Sequence, residues 1–508
     1  MLRTLRNLGR LTRIALTLAR YDALVLFERL GVSPLLIGWA RILARRGVTG
    51  RPGQRLAQAL AALGPSFIKF GQALSIRPDL LGEEVAADLS ALQDRLPPYP
   101  VAFARAAIEA ELGQPVDALF QSFEETPVAA ASIAQVHFAV TREGTPVAVK
   151  VLRPGIEREF ERDIDLFRFL AELALRLRPA LKRLKPVEVV DTFAQSVQLE
   201  MDLRMEAAAA SELAANFAGD PDFRVPRVEW ELTGSRVLTL DRITGIPIDE
   251  RDRIVAAGHD PQAIVAKAAE VFFKMVFRDG FFHADLHPGN LFLGEDGALI
   301  AVDFGIMGRI DPATRFYLAD MLVGFLGGDY RQVAEVHIRA GYVPRTQPVA
   351  LFAQACRAIA EPILNRPLHE ISVARLLAQL FQVTETFEME TQPQLLLLQK
   401  SMLLAEGVGR CLAPESNMWT LARPLIERWV AENRSPPARL QATVAGLAAR
   451  IENLPALLDQ LERAAATLAE GGVRLHPDAL AALGAGERRW PLWPWAVLLA
   501  GLAILLFA

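Results

Sequence analysis

Cysteine is nearly absent from this chain of 508 residues, Cys356 and Cys411 being its two. A disulfide framework is thereby excluded as the source of stability, and the pair suits a reducing cytoplasm. Strong charge of either sign is also missing, since 55 basic against 59 acidic residues leave a net charge of −4, which argues against a nucleic-acid binder. No internal repeat or low-complexity tract stands out, and no long uncharged apolar core follows the first arginines, which argues against a cleavable secretory signal. What is present is core material: 52% hydrophobic residues against 22% charged, over a length that implies about two to four domains.

The densest chemistry lies in F-H-A-D-L-H-P-G-N at 282–290 and V-D-F-G at 302–305. Asp285 and Asn290 stand five positions apart and Asp303 opens a D-F-G, the spacing of a phosphoryl-transfer catalytic loop and its metal-binding aspartate. Asp285 can take or orient a hydroxyl proton. Asn290 and Asp303 are hard oxygen ligands suited to Mg²⁺, which keeps waters and substrate phosphates for its other positions. The flanks agree: 271–277 reads as a buried helix, and 291–293 and 299–302 as short apolar strands joined through Gly294-Glu295-Asp296-Gly297. The acids therefore sit on loops around a hairpin. His283 and His287 would make a metal pair only on a helix, which Pro288-Gly289 oppose.

A cation for the phosphates is offered by V-A-V-K-V at 147–151, where Lys150 lies in a strand that pairs with 133–140 through a turn at 142–145. A glycine-rich cover is lacking, P-V-A-A-A-S standing at 127–132 instead. Alanine carries a methyl and does not adopt positive φ cheaply, so the cover over a nucleotide should be stiff, with Ser132 able to donate to a phosphate oxygen. No A-P-E follows the D-F-G, so peptide docking is poorly provided for. The β-prone run 236–240 and the glycine-ended connection 241–245 are where an adenine-binding hinge is expected, with Leu240 and Ile243 at it.

In these features the chain resembles the UbiB/AarF family of atypical protein-kinase-like proteins. The match is carried by K-F-G-Q at 69–72 (the family's K-x-G-Q), L-S-I-R-P-D-L-L at 74–81, Q-D-R-L-P-P at 93–98, the alanine loop with Lys150, L-E-M-D-L-R-M-E-A-A at 199–208, and the H-A-D-L-H-P-G-N and D-F-G pair. The resemblance implies an α+β, two-lobed kinase fold with an N-terminal helical extension whose K-x-G-Q helix packs over the cleft. It implies Mg²⁺-dependent ATP binding and hydrolysis, or phosphorylation of a small molecule, in support of ubiquinone biosynthesis. Carried over by position, Lys69 and Gln72 would point into the active site, Ala129, Ala130, Ala131 and Ser132 would cover the nucleotide, and Lys150 would contact phosphates. Glu200 would be the helix-C partner of Lys150, and Glu206 would complete the acidic motif; Asp285, Asn290 and Asp303 would keep their kinase roles. Implied partners are nucleotide, a membrane, a prenylated quinone precursor and other enzymes of that biosynthesis. The same loop also resembles H-G-D-x-H-x-x-N of small-molecule kinases of the aminoglycoside phosphotransferase type, a reading that does not account for Lys69 to Gln72. A nucleotide-gated lipid-binding scaffold is a third reading.

Elsewhere, 192–217 reads as one alanine-rich helical stretch bearing Glu200, Asp202 and Glu206. Lys150 precedes Glu200 by 50 positions, room for an inserted helix at 157–183 whose apolar residues recur at three- and four-residue steps. The segment 395–404 reads as a buried helix, hydrophobic all round, within a helical C-lobe. The first twenty residues hold Arg3, Arg6, Arg10, Arg13 and Arg20 without an acid, a basic amphipathic helix that suits a membrane surface, docking on the body, or targeting. At the other end, 490–508 opens with three tryptophans and continues without charge, roughly 28 Å as a helix. Arg488-Arg489 before it predict a single C-terminal anchor in the cell inner membrane, with the kinase-like part facing the cytoplasm. The expected division is 1–58 basic amphipathic helices, 59–115 K-x-G-Q extension, 116–245 N-lobe, 246–432 C-lobe, 433–489 helix and linker, and 490–508 transmembrane anchor.

Overall fold

Helices open the chain: α1 (Leu2–Arg20), α2 (Pro52–Leu63), α3 (Pro65–Ser75), α4 (Glu83–Ser90) and α5 (Val101–Leu112). The computed structural model describes residues 2–23, 49–75, 83–90, 92, 97–177, 186–363, 379, 383–384, 386–389 and 393–434. Helix α1 is docked on α2: Leu18, Ala19 and Ala23 are buried, Arg55 bonds Asp22 at 2.7 Å, and Arg10 pairs with the buried Asp163. The glycine of K-F-G-Q has a packing reason, since a Cβ on Gly71 would lie 2.7 Å from both Leu60 and Leu92 side chains.

Inward and outward side chains alternate along β3 (Ala134–Thr141) and β4 (Pro146–Leu152) because one face of their sheet lies on a core. The sheet runs β1 (Phe120–Phe123), β3 (Ala134–Thr141), β4 (Pro146–Leu152), β6 (Val237–Asp241), with the short β2 (Ala129–Ala130) also on β3. Val147, Val149 and Val151 pack with Ile108 of α5 and Phe120. Alternation turns Lys150 to the other face, in register with Val136 on β3 and Leu238 on β6.

The inserted helix is α6 (Ile156–Leu177), as expected up to its end; 178–185 lie outside the described residues. The alanine-rich stretch is two helices, not one: α7 (Pro186–Glu200) and α8 (Leu203–Asn216). The break falls at Asp202, whose carboxylate caps α8 by accepting from the Arg204 N–H, a competition that aspartate offers to helix continuation.

Below the sheet, α9 (Pro261–Phe273) leads to β8 (Phe281–His283), which pairs antiparallel with β11 (Met307–Arg309). Between them, β9 (Leu291–Leu293) and β10 (Leu299–Ala301) form the expected hairpin, extended by β5 (Phe223–Arg224) and β7 (Ile246–Pro247) into one sheet. Helices α10 (Pro312–Gly327), α11 (Tyr330–Arg339), α12 (Val349–Ala360) and α13 (Pro393–Leu412) complete this lobe.

One part of the expected fold class is corrected. Among the described residues no helix is long and apolar enough to cross a membrane; even the leucine-rich α13 carries Lys400, Glu406 and Arg410. The transmembrane helix assigned to 490–508 falls outside the described residues, as does the helix assigned to 438–470, so the single inner-membrane anchor and the localisation built on it are withdrawn. The chain divides into units Met1–Trp429 and Val430–Ala508, and the candidate site lies within the first.

Candidate active site

Strand β8 ends in His283, whose ring is fully buried and organises the loop that follows. Its Nδ1 accepts from the Asp285 N–H at 3.1 Å and its Nε2 donates to Val302 O at 3.1 Å. Burial lowers its pKa and keeps it neutral, which that donor and acceptor pattern requires. Both ring nitrogens are thus engaged with backbone, which argues against a His283 and His287 metal pair. Asn290 Nδ2 donates to Asp285 O at 3.1 Å, and Val302 N–H donates to Asn290 O at 3.0 Å. The β9 and β10 hairpin therefore delivers Asp285, Asn290 and Asp303 to one end of the lobe.

Lys150 reaches this end from the upper sheet. Its Nζ donates to Glu206 Oε1 and Oε2 at 2.8 and 2.9 Å, and to Asp303 Oδ1 at 2.9 Å. Burial would lower the Lys150 pKa, but the Asp303 and Glu206 carboxylates outweigh it and hold the ammonium above its ordinary value. Two carboxylates sharing one ammonium divide by exposure: the Glu206 side chain is 7% exposed and that of Asp303 49%. Burial, reinforced by Asp303, pushes Glu206 up to about 7 against the pull of Lys150. Asp303 goes the other way, since what burial adds is overcome by Lys150 and by the charge of Lys69. Asp303 also holds a φ of +62°, a left-handed conformation costing about 1 kcal/mol in a non-glycine residue and found where a side chain must be aimed.

The partner expected for Lys150 was Glu200, and the structure supplies Glu206 instead. The break at Asp202 sets the two glutamates on separate helices, and Glu200, at the end of α7, pairs with Lys69 of the extension, Nζ to Oε2 2.8 Å. Gln72 uses its amide nitrogen on Leu92 O at 3.3 Å, within the extension.

Ala129 and Ala130 form β2 against Val136 and Gln135, and Ala131 O accepts from the Arg153 guanidinium at 3.1 and 2.9 Å. Ser132 is fully buried, its hydroxyl without a hydrogen-bond partner, so a phosphate contact from it requires the loop to shift. Leu240 is half-buried and pairs with Ala148; Ile243 is half-buried just past the strand. The Asp241 and Arg242 N–H groups donate to Arg227 O and Pro146 O, so neither is open to an adenine edge.

Sequence reasoning missed Lys400, on α13, whose Nζ lies 2.8 Å from Asp285 Oδ1. The available signal was a charge inside 395–404, a run otherwise read as apolar all round, since a cation there needs a partner. Asn290 and Asp303 carry side-chain oxygens of the kind that suits Mg²⁺ accompanying a nucleotide; among the described residues there is no group of three or more His, Cys, Asp or Glu that could hold a metal ion.

A sheet-borne lysine paired to a helix glutamate, above a catalytic-loop aspartate, asparagine and D-F-G aspartate, defines a protein-kinase-like fold. Residues 91–337 match the ABC1 atypical kinase-like domain, and 356–417 match the UbiB helical domain. A probable protein kinase UbiB of Marinobacter nauticus is 41% identical over 512 residues, covering 98% of this chain and 93% of that protein. Its namesake in Azotobacter vinelandii is 40% identical, covering 98% and 97%. The solved Mycobacterium tuberculosis protein Rv3197, in complex with erythromycin, matches with a TM-score of 0.53 and 27% identity over 73% of this chain and 95% of that one. The chain belongs to the UbiB family of ABC1 atypical kinase-like proteins.

Proposed function

We propose that this chain binds Mg·ATP between Lys150 and the pair Asn290 and Asp303, and transfers the γ-phosphoryl group to water or a small hydroxyl-bearing acceptor, in support of ubiquinone biosynthesis. The carrying observation is the Lys150, Glu206 and Asp303 cluster, which joins a cation from one lobe to a metal-binding carboxylate from the other within 2.9 Å. Lys150 would meet the phosphates, and Glu206 fixes where its ammonium sits. Mg²⁺ on Asn290 and Asp303 would neutralise charge on the β- and γ-phosphates. The acceptor oxygen gives its proton to Asp285 as its bond to phosphorus forms and the bond to the leaving ADP oxygen breaks. The biosynthetic assignment rests on the relatives named UbiB.

The test is a thermal-shift measurement with Mg·ATP on the wild type and Asp303→Asn. The wild type should gain several degrees and the variant almost nothing, because ligand binding to the folded state alone raises Tm. An equal shift in both proteins overturns the site. Deleting the chain's gene should cause an early prenylated phenol to accumulate, and a normal quinone pool removes the pathway.

A further inference from the structure

The catalytic segment 282–290 contains no lysine or arginine, yet Asp285 has an ammonium at 2.8 Å. That ammonium belongs to Lys400, more than a hundred residues away and inside the match to the helical domain, whereas Asp285 lies inside the match to the kinase-like domain. The helix that carries it is fastened beside the site. Ser401 donates to Leu397 O at 2.9 Å and sits 3.4 Å from His283 O, the histidine that shapes the catalytic loop; farther along, Arg251 donates to Leu412 O at 3.0 Å.

Lys400 and Asp285 side chains are 31% and 28% exposed, so water still reaches both. A pair so solvated adds little to stability, and α13 is held by Ser401 and its buried leucines without it. Its effect falls on Asp285. A carboxylate beside a triphosphate meets like charge, and one with a free rotamer holds its oxygens in no single place. A lysine on Oδ1 offsets the first and removes the second, so that Oδ2 takes the acceptor proton from one position.

We infer that Lys400 is the positioning residue of Asp285, supplied by the helical domain to a catalytic loop that lacks a cation of its own. The inference rests on the phosphoryl-transfer reading above.

Phosphate release from Mg·ATP is measured with the full chain for the wild type, Lys400→Met, Lys400→Arg, Asp285→Asn and the Lys400→Met, Asp285→Asn double variant. Lys400→Met should lower kcat about 10-fold or more while nucleotide affinity stays within about 2-fold. Lys400→Arg should restore most of the rate, and Lys400→Met should cost nothing further once Asp285 is asparagine, as expected for a residue that acts through the carboxylate. Wild-type kcat in Lys400→Met, or a loss that multiplies with that of Asp285→Asn, overturns the inference alone. A wild-type chain that releases no phosphate overturns the phosphoryl-transfer reading and this inference together. Failure of both Lys400→Met and Lys400→Gln to fold assigns the lysine to stability and overturns it as well.

Discussion

Lys69 of the extension and Glu200 of α7 form an ion pair, Nζ to Oε2 2.8 Å, with side chains only 11% and 19% exposed. Removing one partner strands the other in a poorly solvated place. Lys69→Met should therefore lower stability by about 2 kcal/mol or more in urea unfolding, and Lys69→Met with Glu200→Gln should recover much of it. Additive losses in the double variant would mean that the two charges do not depend on each other.

Glu206 gives stability a pH dependence of definite sign. Its folded pKa of about 7 exceeds its ordinary 4.5, so between those values the unfolded chain has lost a proton that the folded chain keeps. Stability from this group is complete below about 4.5 and is lost as pH rises through about 7, by about 3 kcal/mol at most. Asp303, held below its ordinary value, contributes stability that disappears only as pH falls below the usual carboxylate range. The buried His137 and His283 and the half-buried His337 are also held low and tilt the curve the opposite way, so the test is a comparison. Glu206→Gln should remove the component that falls between about pH 5 and 7. Parallel Tm curves for the two proteins would show that Glu206 is ionised throughout.

Gly308 lies opposite Phe282 on the β8 and β11 pair, and a Cβ there would stand 2.1 Å from the Phe282 ring. That ring is fully buried, so it can give way only by displacing its neighbours in the core. Gly308→Ala should cost about 2 kcal/mol and disturb the catalytic loop. Gly327→Ala, in α10 with nothing within 4 Å of the new methyl, should be neutral or stabilising by about 0.5 kcal/mol. Equal Tm values for the two variants would refute the packing argument.

Local pattern carried the parts of this site that depend on local chain. The spacing of Asp285, Asn290 and Asp303 and the apolar runs around them predicted loops about a hairpin, because strand pairing and turn chemistry act over a few residues. Lys150 was legible in its strand for the same reason. Which glutamate it meets was not, since that turns on a helix break at Asp202, where one side-chain hydrogen bond outweighs the helix propensity of the residues on both sides. Lys400 escaped because its partner lies 115 positions away and only tertiary packing brings them together. The amphipathic pattern of α1 suits three placements alike, and the burial of Leu18 and Ala19 together with the Arg10 and Asp163 pair is what docks it on the body.

The alanine loop offers a last test. Ala130 is the end of β2, paired with Gln135, and its neighbour Ala131 is held by Arg153 through its carbonyl and by Ala134 O through its N–H. The cover is thus anchored at 131 and stiffened by methyl-bearing residues before it. Glycine at 130 widens the accessible φ range at a cost of about 0.5–1 kcal/mol in order, and the loop should then sample arrangements that the alanine forbids. ATP and ADP differ by the phosphate nearest such a cover, so Ala130→Gly should change the ratio of their dissociation constants by about 3-fold or more, measured with Mg²⁺ by calorimetry. A ratio that is the same before and after the substitution would mean that the loop does not sense the terminal phosphate.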